Sequence, residues 1–375
     1  MGPLRGVKVV EFTGLGPPPF CTMALSDMGA EVIRIDRPGA KGGGPAEILA
    51  RGRRSIALNL KSDAGRELAL QLITGSDILI EGFRPGVMER LGLGPDIAHA
   101  RNPKLIYGRM TGWGQTGPLA DRAGHDITYL ALTGALHAIG PKEHSVPPLN
   151  LVGDFGGGAM YLAFGVMAAL YHAQKTGEGQ VVDAAIVDGV THLLSAQHQL
   201  QALGVWTDQR EDNWLDGGAP FYRTYRCADD KEIAIGPLEP EFYALLLAGL
   251  GLSDHPDMQT PYDKVRWPGM ITVFEALFKT RTRDAWAAQF AEGDACLAPV
   301  LTLEESAAHP HMVARGVKTD IDGVAQSAPA PRFSKTPGQV QGRAPRPGEH
   351  SDAILSELGL SALQIADLIK TGVVG

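Results

Sequence analysis

Cysteine is scarce in this chain: only Cys21, Cys227 and Cys296 occur among 375 residues, and they lie far apart. This excludes a disulfide framework and the paired CxxC spacing of a zinc site, and it fits a reducing compartment. Positive charge is not in excess either. The formal net charge of -8 argues against a nucleic-acid partner. An acidic chain can still contain a locally basic pocket for a phosphate-bearing ligand.

Signals for membranes and export are also lacking. No signal-peptide architecture precedes the first strand-like run, and no apolar run has the length needed to span a bilayer. The final residues 372–375 are not a peroxisomal address. We therefore expect a cytoplasmic protein with no membrane partner.

A dinucleotide-binding loop is incomplete here. Residues 14–16 read Gly-Leu-Gly after the first predicted strand, but the third glycine of the motif is absent. Prolines follow at residues 17–19, and they remove the amide donors that would cradle a phosphate. We expect no nicotinamide site, and we interpret the prolines as a rigid turn against which a ligand can pack. No metal or flavin signature is present either.

Strand-like and helix-like segments alternate through the first half of the chain. The predicted strands are Val7–Phe12, Glu31–Asp36, Ser55–Leu60, Asp77–Glu81, Leu105–Tyr107 and Gln180–Asp183. Ser62 is placed to cap the helix that runs to about Ile73. This alternation predicts an α/β fold with a parallel sheet and helices on its faces. The length of 375 residues predicts about two domains.

The second half of the chain has a different pattern of predicted strands and helices. A hairpin is predicted from Tyr222–Cys227 and Glu232–Ile235, and helical patterns follow it, which together indicate a smaller α+β domain. Two strongly apolar helices are predicted before it, at 157–174 and 186–203. They are either core helices or a long connector that packs on another subunit.

Basic residues cluster around the ends of the early strands. The members of this group are Arg37, Arg51, Arg53, Arg54, Lys61, Arg84 and Arg90. In open parallel sheets the carboxyl ends of the strands form the ligand crevice, and arginine grips phosphate in a bidentate manner. The alternative is that they are ordinary surface charges. Arg37 and Arg84 are the best placed for a ligand, because Arg37 follows the second strand and Arg84 follows Gly82-Phe83 at the end of another.

An imidazole and two carboxylates lie close together on glycine-rich ground. His125 and Asp126 follow Gly124, and Asp154 precedes three glycines. Either aspartate can simply cap a helix N-terminus. The functional interpretation is proton abstraction next to a carbonyl. It is favoured because the glycines remove side-chain bulk beside Asp154 and the following helix offers a partial positive charge.

Glu239 is a further candidate. It stands before Pro240, which suits the first turn of a helix. The carboxylate therefore either caps that helix or acts through His125 by orienting its imidazole.

These residues lie within a pattern that covers nearly the whole chain. The matching segments are Leu4–Glu11, Gly29–Gly39, Leu58–Lys61, Gly82–Val87, Gly112–Pro118 and Pro347–Ser351. They resemble the family III CoA-transferase superfamily, and within it the group of α-methylacyl-CoA racemases. That group carries Gly-His-Asp-Ile-Asn-Tyr, from which residues 124–129 depart only at Thr128. Residues 154–158 agree with its Asp-Phe-x-Gly-Gly.

The resemblance implies a Rossmann-like large domain and a smaller α+β domain. We expect residues 1–185 to form the large CoA-binding domain, completed by 330–375. A helical connector at 186–220 would lead to the small domain at 221–315, and 316–329 would be the return linker. Two such chains would interlock as an obligate homodimer. The active site would lie between subunits, with Glu239 close to His125 of the partner subunit.

The resemblance also implies epimerisation of a 2-methylacyl-CoA thioester at its α-carbon. His125, assisted by Glu239, would serve one face of the substrate and Asp154 the other, while Asp126 supports the enolate. The residues expected to contact CoA are Arg37, Leu58, Asn59, Leu60, Lys61, Gly82, Phe83, Arg84, Arg90, Gly124 and Tyr129. No metal or redox cofactor is implied, because CoA arrives as part of the substrate.

Two alternatives stay open at this point. One is a CoA-transferase of the same superfamily with Asp126 as its nucleophile. The other is an acyl-CoA-binding protein without activity. The sequence does not define the acyl chain, which a sterol side chain, a branched fatty acid or an aryl-propionyl group would each satisfy.

Overall fold

The computed structural model describes residues 2–375. The strands are β1 Lys8–Phe12, β2 Glu31–Asp36, β3 Arg53–Ala57, β4 Ile78–Glu81, β5 Ile106–Thr111, β6 Gln180–Ala185, β7 Arg223–Arg226, β8 Glu232–Ile235, β9 Leu297–Pro299, β10 Lys318–Ile321 and β11 Val324–Ser327. The α-helices are α1 Pro17–Asp27, α2 Asp63–Thr74, α3 Val87–Arg90, α4 Pro95–Arg101, α5 Asp126–Thr133, α6 Ala135–Ala138, α7 Met160–Thr176, α8 Ile186–Leu193, α9 Ser195–Ala202, α10 Pro240–Leu250, α11 Trp267–Phe278, α12 Arg283–Gln289, α13 Leu303–Ala308, α14 Pro310–Ala314, α15 Ser351–Glu357 and α16 Ala362–Lys370. Short 3-10 helices occur at Ile48–Ala50, Leu149–Leu151, Pro256–Gln259 and Lys264–Arg266, and a π-helix at Val152–Ala159.

The chain divides into two compact units. The larger contains everything up to Thr133, together with Leu149–Leu193 and Pro310–Gly375. The smaller contains Gly134–Pro148 and Leu194–His309. These bounds differ from the domain bounds predicted from the sequence at 134–148, at 186–193 and at 310–329.

Two arginines account for the differences at 134–148 and within 310–329. The guanidinium of Arg51 donates to the side chain of Gln326 at 2.9 Å and to the carbonyl of Ser327 at 2.8 Å, which attaches the β10–β11 hairpin to the larger unit. Arg210 donates to the carbonyls of His137 and Lys142 at 3.1 and 3.0 Å, which attaches residues 134–148 to the smaller unit. Neither set of partners is visible in a local sequence pattern.

The larger unit is built on a six-stranded sheet in the order β3-β2-β1-β4-β5-β6, and all neighbouring strands are parallel. The prediction of an α/β fold with a parallel sheet is confirmed. Strands buried on both faces read as continuous apolar runs, and residues 78–80 of β4 are fully buried. Strand order reverses between β1 and β4, and a ligand crevice opens at the carboxyl ends of strands at such a point.

The end of the chain returns to this sheet. Val374 forms a β-bridge with Leu58, and the N–H of Gly375 donates to the carbonyl of Ala57 at 3.1 Å. Ile354 of α15 and Ile365 of α16 join the same apolar core. The carboxyl-terminal segment is therefore an integral part of the larger unit.

The smaller unit has its own antiparallel sheet, in the order β7-β8-β9. Its core is aromatic: Tyr225, Phe274 and Phe278 pack with ring centroids 5.2 to 6.2 Å apart, and Trp286 lies against Phe278. The predicted hairpin is present as β7 and β8. Such a core allows this unit to bury its own apolar surface.

One continuous helical segment, Leu149–Thr176, is 28 residues long and apolar enough to cross a membrane by length and composition. The expectation that no apolar run has this length was wrong, because the predicted helix began at 157 whereas 3-10 and π turns extend it back to Leu149. Core helices of soluble proteins pass the same test, and 33% of the apolar window is buried. Its exposed apolar side chains include Phe164 and Tyr171.

The glycines after Asp154 make room for helix α8. A Cβ at Gly157 would lie 2.5 Å from a methyl group of Val190, and a Cβ at Gly189 would lie 1.9 Å from the carbonyl oxygen of Gly157. The expectation that these glycines clear space for a ligand is therefore replaced by a packing role. The backbones of the π-helix and α8 touch because neither carries side chains there.

We expect Gly189→Ala to lower the free energy of unfolding by about 1–3 kcal/mol, because backbone atoms must move to admit the methyl group. The matched control is Gly269→Ala, another helical glycine, at which an added Cβ meets nothing within 4 Å. That change should be neutral or stabilise by about 0.5–1 kcal/mol. Urea unfolding followed by circular dichroism compares them, and equal stability of the two variants would contradict the packing role.

Candidate active site

The backbone of His125 is held just before α5 by the side chain of Thr128. Its N–H donates to the hydroxyl of Thr128 at 3.0 Å, and that hydroxyl donates back to the His125 carbonyl at 2.7 Å. The imidazole itself is exposed. Thr128, the position that departs from the racemase pattern, is thus the residue that closes this reciprocal pair.

Asp126 connects the two sequence motifs. Its Oδ1 accepts the backbone N–H of Asp154 at 2.7 Å, and the backbone of Gly153 supplies a second hydrogen bond. Gly153 must be a glycine, because a Cβ there would lie 2.2 Å from the same Oδ1. Asp126 therefore caps the π-helix that carries Asp154, whereas the sequence suggested a cap of its own helix.

Asp154 is half-buried beside the loop that follows β1. A Cβ at Gly16, the residue before α1, would lie 3.4 Å from its Oδ2. Burial raises the pKa of Asp154 above its ordinary value, and the charge of Asp126 raises it further. Hydrogen bonding from Asn150 and the charge of His125 act in the opposite direction. The carboxyl is thus shifted toward the range in which it can both accept and return a proton.

Tyr129 forms the floor beside these groups. Its ring packs edge-on against Trp113 with centroids 4.7 Å apart. A Cβ at Gly112 or Gly124 would lie within 1.9 or 2.5 Å of that ring, so both positions need glycine. Burial raises the pKa of Tyr129, the charge of Asp154 raises it further, and Arg84 lowers it. The phenol therefore lies near both Asp154 and Arg84.

A cavity of about 920 Å³ opens at the carboxyl ends of the strands of the larger unit. Three of the predicted CoA-contacting residues line it, namely Arg37, Leu60 and Phe83. Residues 14–16 and Lys41 also line it, although they were not among the predicted contacts. The Gly-Leu-Gly loop, rejected as a dinucleotide motif, nevertheless forms a wall of the cavity.

The other predicted CoA-contacting residues divide into two groups. Leu58 is only 1% exposed and packs in the core, so its side chain offers no surface to a ligand. Asn59, Lys61, Gly82, Arg84 and Arg90 lie at or near the surface outside the cavity lining, and Gly124 and Tyr129 belong to the His125–Asp154 region.

Part of the basic group is structural. Arg51 is bonded to Asp27, and Arg53 is bonded to Glu11, both as buried ion pairs at 2.5 Å. Arg54 pairs with Glu357 on the surface. Of the two interpretations left open for these three, a structural role is favoured, because their guanidinium groups are already engaged with carboxylates of the chain.

Glu239 is the N-cap residue of α10 in the smaller unit, and its side chain is exposed. It makes no side-chain capping hydrogen bond, so the structural role proposed for it from the sequence is not observed. Burial raises the pKa of Cys296, and the negative charge of Glu239 raises it further.

Within residues 2–375, no group of three or more His, Cys, Asp or Glu side chains is arranged to hold a metal ion. The titratable groups that do converge in the larger unit are His125, Asp126, Asp154 and Tyr129. The arrangement offers one exposed imidazole and two carboxyls whose pKa values are raised by burial, near a large cavity, which suits proton transfer.

Comparison with known proteins agrees with this picture. The family model described as CoA-transferase family III matches residues 4–351. This chain belongs to CoA-transferase family III. The family resemblance of its motifs is thereby confirmed.

Two curated members of the family are similar along their whole length. The α-methylacyl-CoA racemase of Mus musculus is 45% identical over 368 residues, which are 97% of this chain and 96% of that protein. The racemase of Homo sapiens is 45% identical over 369 residues, with the same coverage of 97% and 96%. A crystal structure of a CAIB/BAIF family protein from Brucella suis superposes with a TM-score of 0.82 at 27% identity, covering 95% of this chain and 99% of that chain.

The electrostatic coupling of the two aspartates is directly testable. In Asp126→Asn the amide oxygen can still accept the Asp154 N–H, but the charge that raises the pKa of Asp154 is lost. We expect the pKa of Asp154 to fall, as measured by carboxyl-carbon NMR titration. Asp96→Asn, on the exposed surface of α4, is the control and should leave Asp154 unchanged. An unaltered Asp154 titration in Asp126→Asn would show that the two groups are not coupled.

Proposed function

We propose that this protein interconverts (2R)- and (2S)-2-methylacyl-CoA thioesters by removing and returning the proton at the α-carbon. The observation that carries the proposal is the position of Asp154, which lies against Gly16 at the edge of the 920 Å³ cavity. Identity of 45% to two α-methylacyl-CoA racemases supports the same reaction.

The cavity suits the nucleotide portion of CoA. It occupies the crevice expected for a ligand in a parallel sheet whose strand order reverses. Arg37 and Lys41 supply positive charge for the phosphates, opposed by Glu47. Gly16 lines the cavity, and a Cβ built on it would lie 3.4 Å from Oδ2 of Asp154, so a CoA bound there can place its thioester end beside the carboxylate.

The chemistry requires two groups that exchange roles. A thioester α-proton is a weak acid, so its removal needs a base and a means of stabilising the enolate oxygen. We assign Asp154 to one face and His125 to the other, with Glu239 assisting the imidazole. One group takes the proton while the other, already protonated, gives its own to the opposite face. The raised pKa of Asp154 supports this alternation, because both states are needed.

No metal or redox group takes part in the proposed reaction, because the proton transfers need none and CoA arrives with the substrate. Asp126 acts as a positioning residue. Its carboxylate accepts the backbone N–H of Asp154 and so fixes that backbone. The acyl group is left undefined beyond its 2-methyl branch.

Acyl transfer through Asp126 is less well supported. Its Oδ1 already accepts the backbone N–H of Asp154, and the backbone of Gly153 donates a second hydrogen bond, so an attack on a thioester would compete with these bonds. Of the two aspartates, Asp154 is the one that faces the cavity loop. Hydroxylamine trapping in the presence of an acyl-CoA tests for an acyl-enzyme, which only the transferase reaction forms.

We further propose that two chains form an interlocked, obligate homodimer in which Glu239 approaches His125 of the partner subunit. Helix α7 supports this, because Met160, Phe164 and Tyr171 are 50%, 74% and 61% exposed in the single chain. Exposed apolar residues that follow one helix are typical of a protein interface.

The reaction is tested with one pure epimer of a 2-methylacyl-CoA in deuterated water, followed by NMR and chiral analysis. We expect deuterium at the α-carbon and formation of the other epimer without a second acyl acceptor. His125→Ala and Asp154→Ala should each reduce the rate roughly 100- to 10,000-fold, the usual contribution of a general acid–base group. Asp96→Asn serves as the control. Epimerisation that survives both alanine variants would refute these assignments.

The assembly is tested by light scattering after gel filtration. We expect a mass of twice the 39.8 kDa chain that persists on dilution, because interlocked chains cannot separate without unfolding. A stable species of 39.8 kDa with full activity would rule out the shared site.

A further inference from the structure

Arg109 on β5 is a buried arginine with two carboxylate partners on different elements. Its Nε donates to Oε1 of Glu81, the last residue of β4, at 2.9 Å. Its two terminal nitrogens donate to the two oxygens of Glu89 in α3, at 2.7 and 3.2 Å. The fork geometry of arginine makes such a double pair directional as well as charged.

The same network reaches the backbone of the intervening loop. The second oxygen of Glu81, Oε2, accepts the N–H of Phe83 at 2.7 Å. Glu81 therefore fixes the beginning of the segment 82–90 and Glu89 fixes its end, with Arg109 bonded to both. Met88 inside the segment is fully buried and anchors it to the core.

The segment held in this way carries residues that face the candidate site. Phe83 lines the 920 Å³ cavity. Arg84 is close enough to Tyr129 to lower its pKa. The backbone between Glu81 and Glu89 sets the direction of Arg84, which is exposed and makes no ion pair among those of residues 2–375. Phe83 starts from the same backbone, bonded to Glu81, and packs edge-on against Phe12 with ring centroids 6.3 Å apart.

The two carboxyl partners of Arg109 differ in how readily they are ionised. Burial raises the pKa of Glu81 to about 7, so this carboxylate is costly to keep ionised near neutral pH. Hydrogen bonding from Arg109 lowers the pKa of the more exposed Glu89, which therefore stays charged. Glu89 is the partner that keeps the arginine compensated and the segment attached.

We propose that Glu81, Arg109 and Glu89 are positioning residues that hold Phe83 and Arg84 in the geometry that binds the CoA portion of the substrate. This inference rests on the proposed function, because it assumes that the cavity takes CoA. It assigns to a buried ion-pair network a role in ligand affinity in addition to stability.

Glu89→Gln is the test variant. It keeps the size of the side chain but presents an NH2 group to one arm of the Arg109 fork, so the double pair is broken. Glu67→Gln is a closely matched control. Glu67 pairs with both arms of Arg101 at 3.1 and 2.9 Å, its side chain is 45% exposed against 44% for Glu89, and neither Glu67 nor Arg101 lines the cavity.

The experiment titrates CoA into unmodified protein and both variants by calorimetry, and then measures KM and kcat for the epimerised thioester. For Glu89→Gln we expect the Kd for CoA and the KM to rise roughly 3- to 30-fold, the range for residues that act on a site without touching its ligand. The kcat should stay unchanged, because His125 and Asp154 are untouched. Glu67→Gln should match the unmodified protein in all three quantities.

Each other outcome is decisive. Equal CoA affinity in Glu89→Gln and the unmodified protein would overturn the inference, as would an equal loss in both variants, which would indicate general destabilisation. If CoA binds and responds as expected but no epimerisation occurs, the racemase proposal fails and this inference stands. If the unmodified protein does not bind CoA, the CoA site itself is refuted and the positioning role with it.

Discussion

The hydrogen bond from the Asp154 amide to the Asp126 carboxylate is the contact on which the candidate site depends. It joins two motifs that lie 28 residues apart in the chain and places the imidazole of the first near the carboxyl of the second. The bond uses the space left at Gly153, where a Cβ would lie 2.2 Å from the accepting oxygen. It also ties the start of α5 to the first turn of a π-helix, a distortion that is frequent at functional sites.

Local sequence patterns predicted the strands and helices of the fold. They did not predict which charged side chains pair with one another. The parallel strands and the cap at Ser62, whose hydroxyl accepts the Gly65 N–H, follow from apolar runs and short-range chemistry. The motif around His125 and Asp154 was recognisable because its residues lie close in sequence. The burial of Arg51 was not, since its partners Asp27 and Gln326 come from distant parts of the chain. The packing of glycines against α8 is likewise a property of the assembled helices.

Charges in the larger unit therefore fall into two populations. Arg53 and Arg51 bind buried carboxylates, and breaking such a pair is strongly destabilising because it strands a charge in the core. At the end of β2, Asp36 accepts hydrogen bonds from Thr13, Arg34 and Ser55, so it has little capacity left for a ribose hydroxyl. The basic residues that remain available at the cavity are Arg37 and Lys41, which line it and are exposed. Most charged side chains near the strand ends therefore form ion pairs or hydrogen bonds within the protein, and only a minority are available to bind a ligand.

The return of the carboxyl terminus to the sheet has a consequence for biosynthesis. Val374 pairs with Leu58, Gly375 bonds to Ala57, and Pro347 lines the cavity. A chain emerging from the ribosome presents β1 to β6 long before these residues exist, and domains fold in the order in which they are made. The smaller unit, by contrast, is complete once residue 309 has emerged. The cavity at the strand ends should therefore be completed only after residues 347–375 have been made, later than the smaller unit.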